Sequence, residues 1–143
     1  MEQNYIGYVR TTFLLRVLNN QLNTKFERAT SLNLSRYELL HYLVDGEVYA
    51  QMHLQKLLNL DAAAITRHLK ALEEEGYITR TRNPQNNREM LVQATAEGIK
   101  GTLECQSSRN NFDNRLFEGF SEEELTVFIK SLEKLKFNLE NME

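Results

Sequence analysis

Residues 60–82 read LDAAAITRHLKALEEEGYITRTR, a helical pattern followed at once by a basic, alternating run. Asp61 can cap the helix by accepting hydrogen bonds from its free amides, and Gly76 suits its C-terminal end. The apolar side repeats at helical spacing and is formed by Ala62, Ile65, Leu69 and Leu72. The opposite side is small, polar and cationic and carries Ala63, Thr66, Arg67 and Lys70. The segment therefore predicts an amphipathic helix whose solvent side can approach another molecule closely.

Two shorter helices are predicted before this one. SRYELLHYLVDG (35–46) opens with Ser35 and Glu38 in capping-box spacing and ends at Gly46. A further helix runs from about Ala50 to Leu58, and Asn59 follows it at a position that favours a left-handed residue. The short connection after Asn59 then joins two helices by a tight turn.

A β-hairpin is predicted directly after the amphipathic helix. YITRTR (77–82) and EMLVQAT (89–95) alternate as strands do, and the turn formers NPQNNR (83–88) separate them. No other β-structure is expected from the sequence.

Long helices are predicted on both sides of this central region. The first runs from Tyr5 to about Ala29; one apolar face carries Ile6, Val9, Phe13 and Val17, and the other Leu15, Leu18, Leu22 and Phe26. A helix with two apolar faces is expected to be sandwiched between other elements that cover both faces. A fifth helix follows a Thr95 cap and runs to about Gly119, and Ser121 with Glu124 opens a sixth.

The sixth helix carries a heptad seam, with apolar residues at alternating steps of three and four: Leu125, Phe128, Leu132, Leu135, Leu139 and Met142. This pattern favours packing against a helix of a second subunit. Packing against the chain's own domain is the alternative.

The composition is that of a single globular domain. The chain has 143 residues, of which 41% are hydrophobic and 26% charged, and only one proline, which favours long helices. Its apolar runs are too short to span a bilayer, and MEQNYIGYVR lacks the features of a signal peptide, so a cytoplasmic location and no membrane partner are expected. The single cysteine, Cys105, excludes a disulfide within one chain and is expected to be a small, at least half-buried side chain.

The charge distribution points to the hairpin. The net charge is −3, which argues against indiscriminate nucleic-acid binding, and residues 95–143 carry ten acidic and six basic side chains. By contrast, Arg80, Arg82 and Arg88 fall within nine residues that contain no acid. A small basic projection is therefore predicted on an acidic protein.

Catalytic and metal sites find little support in the sequence. His41, His53 and His68 lie on different predicted helices and lack the spacing of a zinc motif. We identify no glycine-rich phosphate loop and no motif that sets a nucleophile beside a base. We therefore predict that the protein is not an enzyme and has no catalytic residue, metal or cofactor.

These elements together predict a mainly α winged helix-turn-helix with a two-stranded β wing. An α-helix fits the DNA major groove, and the polar and cationic wing suits phosphates and the acceptors of the minor groove. Each feature also has an interpretation without DNA. The polar face of the amphipathic helix could simply be exposed to solvent, and the arginines of the hairpin could serve only its solubility.

Residues 60–88 and their flanks resemble the MarR family of bacterial transcription regulators. LNLD, AAAITRHLKALEEEG, NPQNNR and ATAEG follow one another here as the family's turn, recognition helix, wing motif and start of the fifth helix do. The resemblance covers essentially the whole chain. It implies one domain over residues 1–143, with residues 31–95 as the DNA-binding lobe and residues 1–30 and 96–143 as dimerisation helices.

The resemblance also implies a function. Double-stranded DNA would be bound by a homodimeric regulator, expected to be a repressor, on a pseudo-palindromic operator, and a small aromatic or anionic effector would release it. Family members hold such effectors between the dimer helices and the winged lobe. Aromatic residues that could line this crevice, or instead belong to the core, are Tyr5, Tyr8, Phe13, Tyr37 and Phe112.

Two departures from the family pattern affect the expected DNA contacts. Ala63 and Ala64 stand where serine and threonine are usual, which removes two hydroxyl donors but permits contact with thymine methyl groups. Asn86 replaces the acid that would pair with Arg88. The predicted DNA-binding residues are Gln51, Ala62, Ala63, Ala64, Thr66, Arg67, Lys70, Arg82, Asn83, Gln85, Asn86, Asn87 and Arg88.

Two other hypotheses remain beside a DNA-binding regulator. The first is a winged-helix module that binds another protein without specific DNA binding, and the second is a metal-dependent sensor or enzyme. Oxidant sensing through a cysteine of the first helix, which occurs in some relatives, is disfavoured because this first helix has none.

Overall fold

The computed structural model describes residues 2–143 and confirms a mainly helical chain with a small antiparallel sheet. Its elements are α1 (Glu2–Thr30), α2 (Leu34–Leu43), β1 (Tyr49–Ala50), α3 (Gln51–Leu57), α4 (Ala62–Glu74), β2 (Ile78–Asn83), β3 (Asn86–Ala94), α5 (Ala96–Leu116) and α6 (Glu122–Glu140). The chain divides into two compact units, Met1–Asn110 and Asn111–Glu143, so the boundary lies within α5.

The start of α2 is set by Asn33 rather than by the predicted capping box. The Asn33 side chain accepts hydrogen bonds from the backbone amides of Ser35, at 3.0 Å, and Arg36, at 3.3 Å. Ser35 therefore lies inside the first turn, and the prediction that Ser35 and Glu38 cap the helix is wrong. A short side chain that follows the bend after α1 reaches these free amides first.

The connection from α3 to α4 confirms the helix-turn-helix expected from the sequence. Asn59 has the left-handed conformation (φ 52°). The Asp61 carboxylate accepts a hydrogen bond from the Ala64 amide at 2.7 Å, and Gly76 (φ 81°) ends the far side of α4. Each of these positions requires a residue type that the sequence supplies.

The sheet contains a third strand that the sequence did not reveal. Its order is β1-β3-β2, and in the pairing of β1 with β3 Tyr49 lies opposite Val92. The prediction that the hairpin is the only β-structure is therefore wrong. A strand of two residues has no alternating pattern to recognise, and its partner is distant in the sequence. The hairpin turn is also tighter than residues 83–88, because Asn83 pairs with Asn86.

The core of the first unit lies between α2, α3, α4 and the sheet. Its fully buried members are Leu39, Leu40, Leu43, Leu54, Ile65, Leu69, Leu72, Ile78 and Val92. Ala62 does not belong to it, since this first residue of α4 is exposed and the apolar side begins at Ile65. The placement of Ala62 on the core side is therefore wrong.

Hydrogen bonds join the base of the wing to the start of α5. The Thr95 hydroxyl donates to the Gly76 carbonyl at 2.6 Å and accepts from the Gly98 amide at 3.0 Å, which confirms Thr95 as the predicted cap. A Cβ atom on Gly98 would collide with the backbone carbonyl of Tyr77. This position therefore requires glycine because two backbones approach each other closely.

One histidine is part of the core. The three histidines lie on different helices, as predicted, and His68 of α4 is only 7% exposed. Arg36 of α2 donates from Nε to its Nδ1 at 3.3 Å. Burial, then the charges of Arg36 and Arg67, lowers the pKa of His68, so the ring is a neutral acceptor. Within residues 2–143, no group of three His, Cys, Asp or Glu side chains could hold a metal ion.

The long flanking helices leave most of their apolar side chains exposed. Among the described side chains of α1, in residues 5–30, only Phe26 is buried, and α6 buries none, so the two apolar faces of α1 are not both covered within its own unit. The capping box of Ser121 and Glu124 is confirmed at the start of α6. Cys105 is half-buried, as expected. Among the described residues, no helix is both long enough and apolar enough to cross a membrane.

We predict opposite stability effects for alanine at two nearby glycines of α5. Gly98→Ala should lower the free energy of unfolding by about 1–3 kcal/mol because the new methyl group meets backbone. Gly101→Ala, whose methyl group would meet the Tyr77 side chain at an ordinary contact distance of 3.8 Å, should raise it by about 0.5–1 kcal/mol. Urea unfolding of both variants measures the two effects, and a stabilising Gly98→Ala would contradict the close approach.

We also predict that His68 makes the fold sensitive to acid. Because its pKa is lowered in the folded state, the unfolded chain binds more protons below pH 6.5, and stability is lost as the pH falls through that region. The slope due to this group is at most about 1.4 kcal/mol per pH unit. His68→Asn can still accept from Arg36 but cannot be protonated, so its stability should decline less between about pH 7.5 and 5.5.

The exposed His53 supplies the control for this measurement. His53→Asn should retain the pH dependence of the unmodified protein in urea unfolding. Equal pH dependence in His68→Asn and the unmodified protein would show that His68 does not contribute.

Candidate nucleic-acid interface

Apart from Ala62, which the sequence pattern assigned to the apolar side, the outer face of α4 is formed as predicted. Burial of Ile65, Leu69 and Leu72 turns the opposite side of the helix to solvent. The exposed residues on that side are Ala62, Ala63, Thr66, Arg67 and Lys70, and Ala64 is half-buried. Two cations, one hydroxyl and several methyl groups therefore share one accessible face.

Gln51, the first residue of α3, contacts this face from the preceding helix. Its Nε2 donates to the Thr66 hydroxyl at 3.5 Å, and that hydroxyl donates to the Ala62 carbonyl at 2.8 Å. The Gln51 Oε1 atom is buried and has no hydrogen-bond partner among the described residues. The Thr66 proton is thus engaged inside α4, and what remains for a ligand is its methyl group and one lone pair.

The wing tip is held together by its own polar groups. Arg82 donates from Nη1 to the Asn87 carbonyl across the hairpin at 2.8 Å. The Asn83 side chain accepts from the Gln85 amide at 3.0 Å and donates to Glu89 at 3.4 Å. These bonds join the two strands and the turn where the register is irregular, between Arg82 and Asn83.

Asn86 takes a different role from the acid it replaces. Its side-chain oxygen accepts from the Arg88 backbone amide at 3.2 Å, which fixes the backbone before the arginine rather than the guanidinium group. The Arg88 side chain is exposed, and within the described part of the chain no acid pairs with it. Its charge is available to a partner.

Arg80 does not belong to the basic projection that the sequence suggested. Its guanidinium group donates to both carboxylate oxygens of Glu73, at 3.1 and 3.4 Å, and its side chain is only 17% exposed. The hydrogen bond from Arg80 holds the pKa of Glu73 below its ordinary value. The projection therefore consists of Arg82 and Arg88. The sequence carries no local signal for this pair, because helix and strand must first pack.

The predicted DNA-binding residues fall into two groups that the fold separates. Gln51 and the residues of α4 form the helix group, while the wing group contains Arg82, Asn83, Gln85, Asn86, Asn87 and Arg88. The exposed acids Glu74 and Glu75 lie at the C-terminal end of α4, beyond the cations Arg67 and Lys70 in its middle turns. This arrangement suits a rigid helix and a separate projection that contact one polyanion.

Comparisons with known proteins agree with this architecture. The sequence model of the MarR family matches residues 32–90. The HTH-type transcriptional regulator YdgJ of Bacillus subtilis (strain 168) is 35% identical over 131 residues, which cover 92% of this chain and 80% of that protein.

Solved structures show that the fold is shared. A mutant MarR from E. coli in complex with operator DNA has a TM-score of 0.80 at 20% identity, over 90% of this chain and 95% of that one. The PcaV transcriptional regulator from Streptomyces coelicolor, in complex with its natural ligand, has a TM-score of 0.80 at 19% identity. The match covers 86% of this chain and 89% of that one. With the family match, the YdgJ relationship and the winged helix-turn-helix described above, the chain belongs to the MarR family of transcriptional regulators.

Proposed function

We propose that the protein is a sequence-specific DNA-binding regulator that inserts α4 into the major groove. The observation that carries this proposal is the exposure of Arg67 and Lys70 on the outer face of α4, where, among the residues described, no acid pairs with either. Their neighbours Ala62 and Ala63 are small enough to let the helix backbone approach base edges. The alanine methyl groups would then contact thymine methyl groups.

The wing supplies the second DNA contact in this proposal. Arg88, exposed at the start of β3, enters the minor groove, and the polar tip residues meet phosphates. The Asn86 contact that fixes the Arg88 backbone takes part of the orienting role of the missing acid.

The active species in this proposal is a homodimer. Residues 31–95 form the DNA-binding lobe, and residues 1–30 and 96–143 form the dimerisation region. The exposed apolar side chains of α1 and the seam of α6, of which only Leu125 is half-buried and the other members are exposed, support burial against a second copy, because monomers rarely expose long apolar stripes. Two lobes related by a twofold axis would read half-sites centred about 10 base pairs apart.

Repression and release by an effector complete the proposed function, which operates in the cytoplasm. A small aromatic or anionic molecule can release DNA only if it binds the two lobe arrangements with different affinity. Of the aromatic residues considered for such a site, Tyr5 and Phe13 line a shallow groove along α1. Tyr37 instead belongs to the interior, where its ring lies 5.4 Å from that of Phe26 and its hydroxyl accepts from Arg109.

We predict that the protein selects a defined set of fragments from the genome of its source. At about 0.15 M salt the recovered sites should share a pseudo-palindrome with half-site centres about 10 base pairs apart. Weak retention of all fragments alike would contradict specific DNA binding. Retention of none, together with specific capture of a protein, would instead favour the interaction module.

Arg88→Ala tests the wing contact on such a selected duplex. If Arg88 contacts base edges in the groove, its loss should weaken the binding free energy by about 1–3 kcal/mol. If it contacts only phosphate, the slope of log affinity against log salt should decrease in magnitude by about one. Lys100→Ala, which removes an exposed cation from α5, is the control and should change neither quantity. Unchanged affinity and slope in Arg88→Ala would remove Arg88 from the interface.

A further inference from the structure

Glu73 and Arg80 form the side-chain ion pair that joins the recognition helix to the wing. Glu73 lies in the last turn of α4, and Arg80 is the third residue of β2. Both carboxylate oxygens of Glu73 accept from the guanidinium group, at 3.1 and 3.4 Å. Such a two-point contact fixes orientation as well as distance, because the guanidinium fork is planar.

Arg80 marks the place where the sheet leaves the core. It lies opposite the fully buried Val92, and its side chain points to the same face of the strand as the buried Ile78 two residues earlier. Beyond it, Thr81 and Arg82 are exposed. The ion pair therefore lies at the root of the wing, between the buried Ile78 and the exposed Thr81 and Arg82.

We propose that Glu73 and Arg80 are positioning residues whose ion pair sets the orientation of the wing relative to α4 and thereby the specificity for DNA. This inference rests on the proposed function, in which α4 and the wing contact one duplex at separate places. Neither residue needs to touch DNA for this role. They act by setting how well the α4 contacts and the wing contacts fit the major and minor grooves at the same time.

Specific and non-specific binding respond differently to such a pair. Non-specific affinity depends on the number of neutralised phosphates and tolerates a loosely held wing. Specific affinity requires helix and wing contacts to be made together, so it decreases when the wing orientation is less restricted. The pair should therefore contribute to the ratio of the two affinities.

Glu73→Gln separates this role from a purely electrostatic one. Removing an acid from a DNA-binding protein should raise its affinity for any duplex if charge alone matters. If Glu73 positions the wing, affinity for the selected duplex should instead fall. The two explanations thus predict changes of opposite sign, and Glu74→Gln, an exposed neighbour with the same change of charge, is the matched control.

The experiment measures binding to a duplex selected with the unmodified protein and to a scrambled duplex of the same length and composition. Glu73→Gln and Arg80→Gln should each lower affinity for the selected duplex by about tenfold, and Arg80→Gln should leave the salt slope unchanged, since no phosphate contact is lost. Affinity for the scrambled duplex should stay the same or rise in Glu73→Gln. Reversal of the pair, by Glu73→Arg with Arg80→Glu, should restore most of the lost specificity.

Amide hydrogen exchange of the free protein gives a readout that needs no DNA. Glu73→Gln should accelerate exchange in residues 78–88 of the wing and leave that of residues 39–43 in α2 unchanged, and Glu74→Gln should alter neither. If the unmodified protein does not discriminate between the duplexes, the proposed function fails, while exchange still reports whether the pair holds the wing. If it discriminates but Glu73→Gln discriminates equally well, or exchange is unaltered, the positioning role is wrong.

Discussion

Burial of Ile65, Leu69 and Leu72 along one side of α4 is the constraint on which the candidate interface depends. Each such side chain contributes about 1.5–3 kcal/mol when removed from water, so any rotation of the helix about its axis would cost several kcal/mol. Arg67 and Lys70 are held outward by that cost, since an exposed cation on a helix gains little from its own surroundings. The direction of the polar face is thus decided by the apolar one.

The position of the wing is set by the same core. Ile78 and Val92 anchor its two strands beside α4, and Thr95 ties their base to Gly76 and to the start of α5. The close approach of Gly98 to the Tyr77 backbone leaves no room for a side chain at this junction. Beyond the junction the hairpin is stabilised by local bonds such as that from Arg82 to the Asn87 carbonyl. An exposed tip on a buried base can meet a large ligand without disturbing the core.

The local distribution of charge matters more for DNA binding than the net charge does. The chain has a net charge of −3, yet Glu73 is neutralised by Arg80 and the exposed acids of α4 follow its cationic turns. A ligand therefore meets the cations Arg67 and Lys70 in the middle of α4 and a positive wing tip. This distribution is compatible with recognition of selected sequences and unfavourable for strong binding to any DNA.

The sequence by itself determined most features that depend on neighbours a few residues away, although the cap of α2 was assigned to Ser35 instead of Asn33. Asn59, Asp61, Gly76, Thr95 and the Ser121 capping box were all predicted because caps and turns act within one helical turn. Helical spacing likewise identified the face that bears Arg67 and Lys70. Only the tertiary structure decided three other contacts. Tyr49 pairs with Val92 in the sheet. Arg80 forms an ion pair with Glu73 and so is not part of the basic projection, and Gln51 donates a hydrogen bond to Thr66. These contacts join separate elements and require the packed core to bring their partners together, so no local pattern records them.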